Sequence, residues 1–182
     1  SDVYKRQLQD YAKALAGLAT RTDVVDETTY WSYSAYSSQV EEAELHRTWL
    51  AGEPTVAPSP VTQAYTNFLL ASVFVDDYVV GAAAVLPCYW LYAQTGAQIT
   101  RISDEHPYAA WLHTYHDDEF AQATAQALAI VERAFALAAP QARSRAARAY
   151  LTACRHEMEF FDQALRVDPD DPCLLYTSPS PR

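Results

Sequence analysis

Leu86-Pro87-Cys88-Tyr89-Trp90-Leu91-Tyr92 lies within a run of small and apolar residues at helical spacing, and a proline interrupts that run immediately before a cysteine. Proline inside a helix removes one backbone hydrogen bond and crowds the preceding turn, at a cost of about 3 kcal/mol. A chain that tolerates this beside a thiol gains something at that position. One turn further on, Tyr92 at i+4 faces the same way as Cys88. The plainer alternative makes Cys88 a small core residue, because free cysteines are among the most buried side chains.

The same apolar periodicity recurs on both sides of this stretch. Glycine is scarce, with four in the chain, and no segment alternates as a strand would. The spacing predicts helices over 8–21, 27–51, 61–75, 78–101, 107–115, 117–138 and 140–166, an all-α chain. Ser59-Pro60 supplies an N-cap followed by proline at the first helical position. Gly52-Glu53-Pro54 and Ala57-Pro58-Ser59-Pro60 bracket one loop, Ser103-Asp104-Glu105-His106-Pro107 makes another, and Ala139-Pro140 opens the last helix. Helices on short connections pack as a bundle around one core.

Both ends read differently from the rest. Ser1-Asp2-Val3-Tyr4-Lys5-Arg6-Gln7 is similar to a translated sequencing adapter, and Cys173-Leu174-Leu175-Tyr176-Thr177-Ser178-Pro179-Ser180-Pro181-Arg182 to the same adapter from the other side. Residues 1–7 and 173–182 are therefore expected to be foreign, and 8–172 to be one helical domain. Setting them aside removes three of 13 basic and one of 23 acidic residues, leaving 10 against 22. That balance disfavours nucleic acid and anionic membranes as partners. Cys88 and Cys154 remain, which is no disulfide framework. With no apolar run of 18 residues to span a bilayer and no signal-peptide pattern, the expectation is a soluble protein in a reducing, cytoplasmic setting. Aromatic residues make up 13% of the chain, mostly tyrosine, which suits pockets lined by rings with polar tips.

Three further segments join the cysteine stretch. Pro60-Val61-Thr62-Gln63-Ala64-Tyr65-Thr66 opens a helix. Tyr108-Ala109-Ala110-Trp111-Leu112-His113-Thr114-Tyr115 is followed shortly by Glu119-Phe120. His156-Glu157-Met158-Glu159-Phe160-Phe161-Asp162 lies on the last helix. In order and approximate spacing the four together resemble the thiaminase II (TenA) family over essentially all of 8–172. That family has a proline-opened helix with a tyrosine, then Leu-Pro-Cys-x-Trp-x-Tyr, Tyr-x-x-Trp-Ile-x-x-Tyr and Glu-x-x-Phe-Trp-Asp. The resemblance implies the helical bundle that the family shares with haem oxygenase.

It also implies an aminopyrimidine aminohydrolase (thiaminase II), which hydrolyses a C–N bond at the pyrimidine methylene in thiamin salvage. Carried over to this chain, Cys88 is the nucleophile that adds to the ring and Glu157 the proton shuttle. Tyr65, Tyr92 and Tyr115 line the pocket through their hydroxyls, and Phe160 stacks on the pyrimidine. No cofactor and no metal is required, the partner is a small aminopyrimidine or thiamin, and the assembly is a homo-tetramer. The chemistry is compatible with the residues themselves. A thiol attacks at neutral pH only with a lowered pKa or a nearby base. A carboxylic acid among aromatic rings has its pKa raised by desolvation, which suits proton donation near pH 7. Glu157 and Phe160, at i and i+3, share a helix face, although a glutamate so placed is more often an edge residue of the core.

Departures from the pattern matter too. Phe161 stands where the family has tryptophan. The family's early Gln-Asp pair supplies an aspartate for the pyrimidine amino group, and Gln9-Asp10 looks like that pair. Tyr11-Ala12-Lys13-Ala14-Leu15-Ala16 fits better the stretch about two turns after it, which makes Asp10 a decoy. The anchoring aspartate and the first helix are then expected upstream of residue 8, and a chain without them is expected to expose apolar surface. Cys154, one turn before Glu157, is expected in the core. Two other classes stay open. Glu42 and His46, at i and i+4, form a metal-capable pair like those of di-iron oxygenases of the same superfamily, with His106, His113, His116, Asp117 and Asp118 as candidate further ligands, although these fall largely in a loop and a helix junction, where a polar surface patch is the plainer reading. The other is a non-catalytic pyrimidine-binding regulatory protein, against which an intact Cys88 and Glu157 argue.

Overall fold

A computed structural model describes residues 2–49, 58–98 and 118–165, with side chains over 9–40, 58–98 and 118–163. Among these residues the chain forms helices and no strand: α1 (Asp2–Ala19), α2 (Val25–Trp49), α3 (Pro60–Val75), α4 (Tyr78–Gln98), α5 (Asp118–Leu137) and α6 (Pro140–Leu165). The expected helix over 107–115 lies outside the described residues, as does the segment 173–182. Helix α1 begins at Asp2 rather than at residue 8. Residues 2–7 hold neither glycine nor proline, so nothing in them stops a helix from propagating.

The helix ends follow local chemistry. Ser59, in extended conformation, accepts the Thr62 amide at 3.1 Å and has Pro60 behind it, the expected N-cap of α3. Its hydroxyl also donates to Gln163 Oε1 at 2.6 Å, tying the start of α3 to the end of α6. Asp26 and Glu27 lie in the first turn of α2, where the helix dipole favours negative charge. At the C-terminus of α3, Arg21 donates to the carbonyls of Phe74 (3.2 Å) and Asp76 (2.7 Å), which that helix end leaves without intrahelical partners. Arg145 of α6 then pairs with both Asp76 and Asp77, fixing the α3–α4 corner.

Helix α4 is the axis of the fold. Every residue from Val79 to Pro87 is buried, as are Tyr89, Tyr92 and Gly96. A helix apolar on all sides belongs inside a bundle, and α1, α3, α5 and α6 all pack against α4. Small residues let the neighbours come close: a Cβ at Gly81 would meet Val73 Cα at 2.9 Å. Trp31, Leu15, Leu18, Leu69, Val73 and Val85 fill the space around it. No helix among the described residues is long and apolar enough to cross a membrane.

A buried polar network closes the end of the bundle where α4 begins. Glu27 accepts Tyr78 at 2.7 Å, Thr22 at 2.9 Å, and Arg133 from Nη2 (2.9 Å) and Nε (3.1 Å). Trp31 Nε1 donates to the Tyr78 hydroxyl at 2.8 Å. Burial pushes the Glu27 carboxyl up, but the hydrogen bonds from Tyr78, Arg133 and Thr22 outweigh it, and its pKa falls below the usual carboxylate value.

Candidate active site

Pro87 does not end α4. The helix runs through it, and the proline is fully buried. The turn it disturbs is stitched from outside: the Tyr11 hydroxyl of α1 donates to the Val85 carbonyl at 3.0 Å in a buried bond. Cys88 follows directly, is half-buried, and lies near Tyr65 of α3 and Glu157 of α6.

Facing it is Glu157 of α6, only 1% exposed and the most deeply buried acidic side chain among the described residues. Tyr65 of α3, completely buried, donates its hydroxyl to Glu157 Oε1 at 2.6 Å. Burial raises the carboxyl first and most. Hydrogens from Tyr65, Cys88 and Tyr92 work the other way, and the balance leaves the pKa at about 7. Oε2 closes no hydrogen bond of good geometry among the described residues. The carboxyl is thus an acid balanced near neutrality, with one oxygen held by Tyr65 and Cys88 close by. A group balanced this way can give a proton or take one at physiological pH.

Aromatic rings complete the surroundings. Tyr92, 5% exposed, stands one turn after Cys88 and packs on Phe161 at 5.5 Å. Phe160, 7% exposed, shares the Glu157 face of α6 and meets Phe161 edge-on at 5.8 Å. Four of the six residues singled out in the sequence therefore converge within one region: Cys88, Glu157, Tyr65 and Tyr92. Phe160 borders it, and Tyr115 lies outside the described residues. Phe161, the tryptophan position of the resembled pattern, is half exposed and braces Tyr92.

Two neighbours were not anticipated. Tyr11 lies beside Cys88, Tyr89 and Tyr65; burial raises its phenol pKa and their charges raise it further. Its place in a stretch read as lying about two turns after the family's aspartate gave no sign of this. His156 stacks on Tyr65 and is described below. Asp10, read as a decoy, is buried on α1 and accepts Lys13 Nζ at 2.7 Å. Cys154 is half-buried rather than in the core. Burial pushes its thiol pKa up, a Tyr150 hydrogen bond lowers it and the nearby Glu157 raises it again.

Of the residues named as metal ligands, Asp118 is exposed in the first turn of α5. His106, His113, His116 and Asp117 and the side chains of Glu42 and His46 lie outside the described residues. Among the described residues, no three His, Cys, Asp or Glu side chains come together in a metal-holding group.

Known proteins share this arrangement of helices and much of its sequence. The multifunctional thiamine biosynthesis protein ThiED of Corynebacterium efficiens is 51% identical over 164 residues, which are 87% of this chain and 22% of that protein. The chain thus spans about a fifth of that relative's length. The aminopyrimidine aminohydrolase of Halalkalibacterium halodurans is 27% identical over 168 residues, 86% of this chain and 75% of that enzyme. The crystal structure of a TenA family transcription regulator from a Silicibacter species superposes with a TM-score of 0.80 at 21% identity, over 91% of this chain and 79% of that one, a likeness of fold. The family model described as TENA/THI-4/PQQC matches residues 7–167, and the chain belongs to that family.

Proposed function

We propose that the chain is an aminopyrimidine aminohydrolase of the thiaminase II type, with Cys88 as nucleophile and Glu157 as general acid and base. The observation that carries this reading is the buried Glu157 carboxyl, held by Tyr65 at 2.6 Å and placed against the Cys88 side of α4. Relatives named for aminopyrimidine hydrolysis support the substrate class.

The chemistry follows from the residues. A pyrimidine ring carbon is electron-poor, and the Cys88 sulfur adds to it, its thiol proton passing to the amine that will leave, while Glu157 delivers a proton to a ring nitrogen. The ring, now rich in electrons, pushes the leaving amine off the exocyclic methylene, and the C–N bond breaks. Water adds to that methylene and gives up a proton to the Glu157 carboxylate. The C–S bond then breaks, the sulfur takes up the ring-nitrogen proton as a thiol, and the ring regains its aromaticity. Burial keeps bulk water from competing and keeps the carboxyl protonated near neutrality. Tyr65 and Tyr92 hold the carboxyl and thiol in register, and Phe160 offers an apolar face to the ring. Tyr115 is assigned to the same pocket by resemblance. The reaction consumes only substrate and water, so no cofactor takes part in this proposal. A homo-tetramer remains the assembly the resemblance implies, and a cytoplasmic setting the expectation from composition.

The test is ammonia release from 4-amino-5-aminomethyl-2-methylpyrimidine by the folded chain and by Cys88→Ala. The expected outcome is turnover that disappears in Cys88→Ala and falls on the order of 100-fold or more in Glu157→Gln. Full activity of Cys88→Ala would remove the nucleophile, and no turnover of this substrate or of thiamin by the wild type would remove the reaction.

A further inference from the structure

We propose that His156 is a positioning residue: stacked on Tyr65, it fixes the plane of the phenol ring from which the hydroxyl donates to Glu157. The His156 and Tyr65 rings lie 5.4 Å apart and only 14° from parallel. Phe68, one turn after Tyr65 on α3, packs on the same imidazole at 5.2 Å and 39°. The imidazole is thus gripped by two rings of α3, although it belongs to α6.

The consequence lies in the geometry of a phenol. Its oxygen is conjugated with the ring, so the O–H bond prefers the ring plane. Whatever sets the plane of Tyr65 therefore sets the direction in which its proton points. That proton points at Glu157 Oε1, 2.6 Å away, in a bond with both partners buried. His156 immediately precedes Glu157, and adjacent helix residues project about 100° apart. The pair therefore meets Tyr65 from two sides, the imidazole on the ring face and the carboxyl at the hydroxyl.

Aromatic contact, not hydrogen bonding, holds the imidazole in place. Its Nδ1 is buried and has no hydrogen-bond partner among the described residues. The nearest carboxylate, Glu159 Oε2, lies at 3.8 Å, too far for a hydrogen bond. A buried ring nitrogen without a partner costs stability, so the requirement at this position is a flat ring. Offset stacking of the kind seen here adds to what area burial alone supplies.

The inference deepens the proposed reaction where rate is concerned, since it rests there on Glu157 as the acid. Its central measurement does not need activity. Glutamate labelled with 13C at the side-chain carboxyl lets the Glu157 titration be followed by NMR in the wild type, His156→Phe, His156→Leu, Tyr65→Phe and the double variant H156L/Y65F. Each is compared by circular dichroism to confirm the fold. Tyr65→Phe should raise the Glu157 midpoint by about one pH unit, the loss of one hydrogen bond to a carboxylate. His156→Leu should raise it by a large part of that shift, and His156→Phe should leave it where it is. In the double variant, His156→Leu should add nothing to Tyr65→Phe. A midpoint unchanged in His156→Leu overturns the proposal, as does a shift that persists in full without the Tyr65 hydroxyl. Should the titrations behave as expected while no aminopyrimidine is hydrolysed, the positioning role stands and the reaction falls.

Discussion

At Glu157 two opposed effects set the proton affinity. Burial favours the neutral acid, while hydrogens from Tyr65, Cys88 and Tyr92 favour the anion, and the balance lies at about 7. A step that needs the protonated carboxyl therefore loses rate as pH rises through about 7. Steady-state kcat/KM for aminopyrimidine hydrolysis should show that falling limb. Tyr65→Phe removes the first of the hydrogen bonds that favour the anion and should move the limb upward by about one unit. A limb that stays in place would assign it to a group other than Glu157. The residues of this balance were legible to unequal degrees. Cys88, Glu157, Tyr65 and Tyr92 stood in motifs whose order pointed to one pocket. Tyr11 stood in none, and His156, although it opens the last motif, had no role there, because their contacts run between helices far apart in the chain. A helix-periodic tyrosine or a histidine beside a glutamate carries no local signal of a ring stacked on it from another helix.

Among the elements, helix existence was readable and helix contact was not. Six of the seven expected helices occur within the described residues, with some ends moved: α1 runs Asp2–Ala19 rather than 8–21, and α2 starts at Val25 rather than 27. Hydrophobic spacing marks the body of a helix, whereas its last turn depends on caps such as Arg21 on the α3 carbonyls, contributed from a distance. The close crossing of α3 and α4 depends on Gly81, where a Cβ would stand 2.9 Å from Val73 Cα and 3.1 Å from the Ser72 carbonyl oxygen. Backbone cannot yield as a side chain can, so Gly81→Ala should cost roughly 1–3 kcal/mol despite the better helix propensity of alanine. Gly17 is the internal comparison. A Cβ there meets the tip of the Phe74 ring at 2.6 Å and Val73 Cγ1 at 2.8 Å. Phe74 is 53% exposed and can swing outward. Gly17→Ala should therefore lose less than Gly81→Ala in urea unfolding. Equal losses would mean that the α3–α4 crossing is not set by backbone contact.

Across the whole molecule, two buried carboxyls pull stability in opposite directions with pH. Glu27, gripped by Tyr78, Arg133 and Thr22, has a folded pKa below its ordinary value. The unfolded chain then binds more protons at Glu27 than the folded one does. Its contribution is present above about pH 4.5 and is lost as pH falls through the folded value. Glu157 has the reverse linkage, since its folded pKa is raised from 4.5 to about 7. The folded state keeps this proton after the unfolded chain has released it, so stability declines as pH rises from about 4.5 to about 7. The decline approaches about 3 kcal/mol if the whole shift is expressed. Together they place the stability maximum on the acid side of neutrality, between the two windows. Melting temperature measured from pH 3.5 to 8.5 should peak there. Glu157→Gln should flatten the upper slope and leave the lower one. Glu27→Gln should do the opposite and lower the peak, because it leaves Arg133 without its buried partner. The cost carried by Glu157 is the one expected of a group kept for chemistry rather than for folding. An upper slope that survives Glu157→Gln would place that cost elsewhere and weaken the case for this carboxyl as the acid of the site.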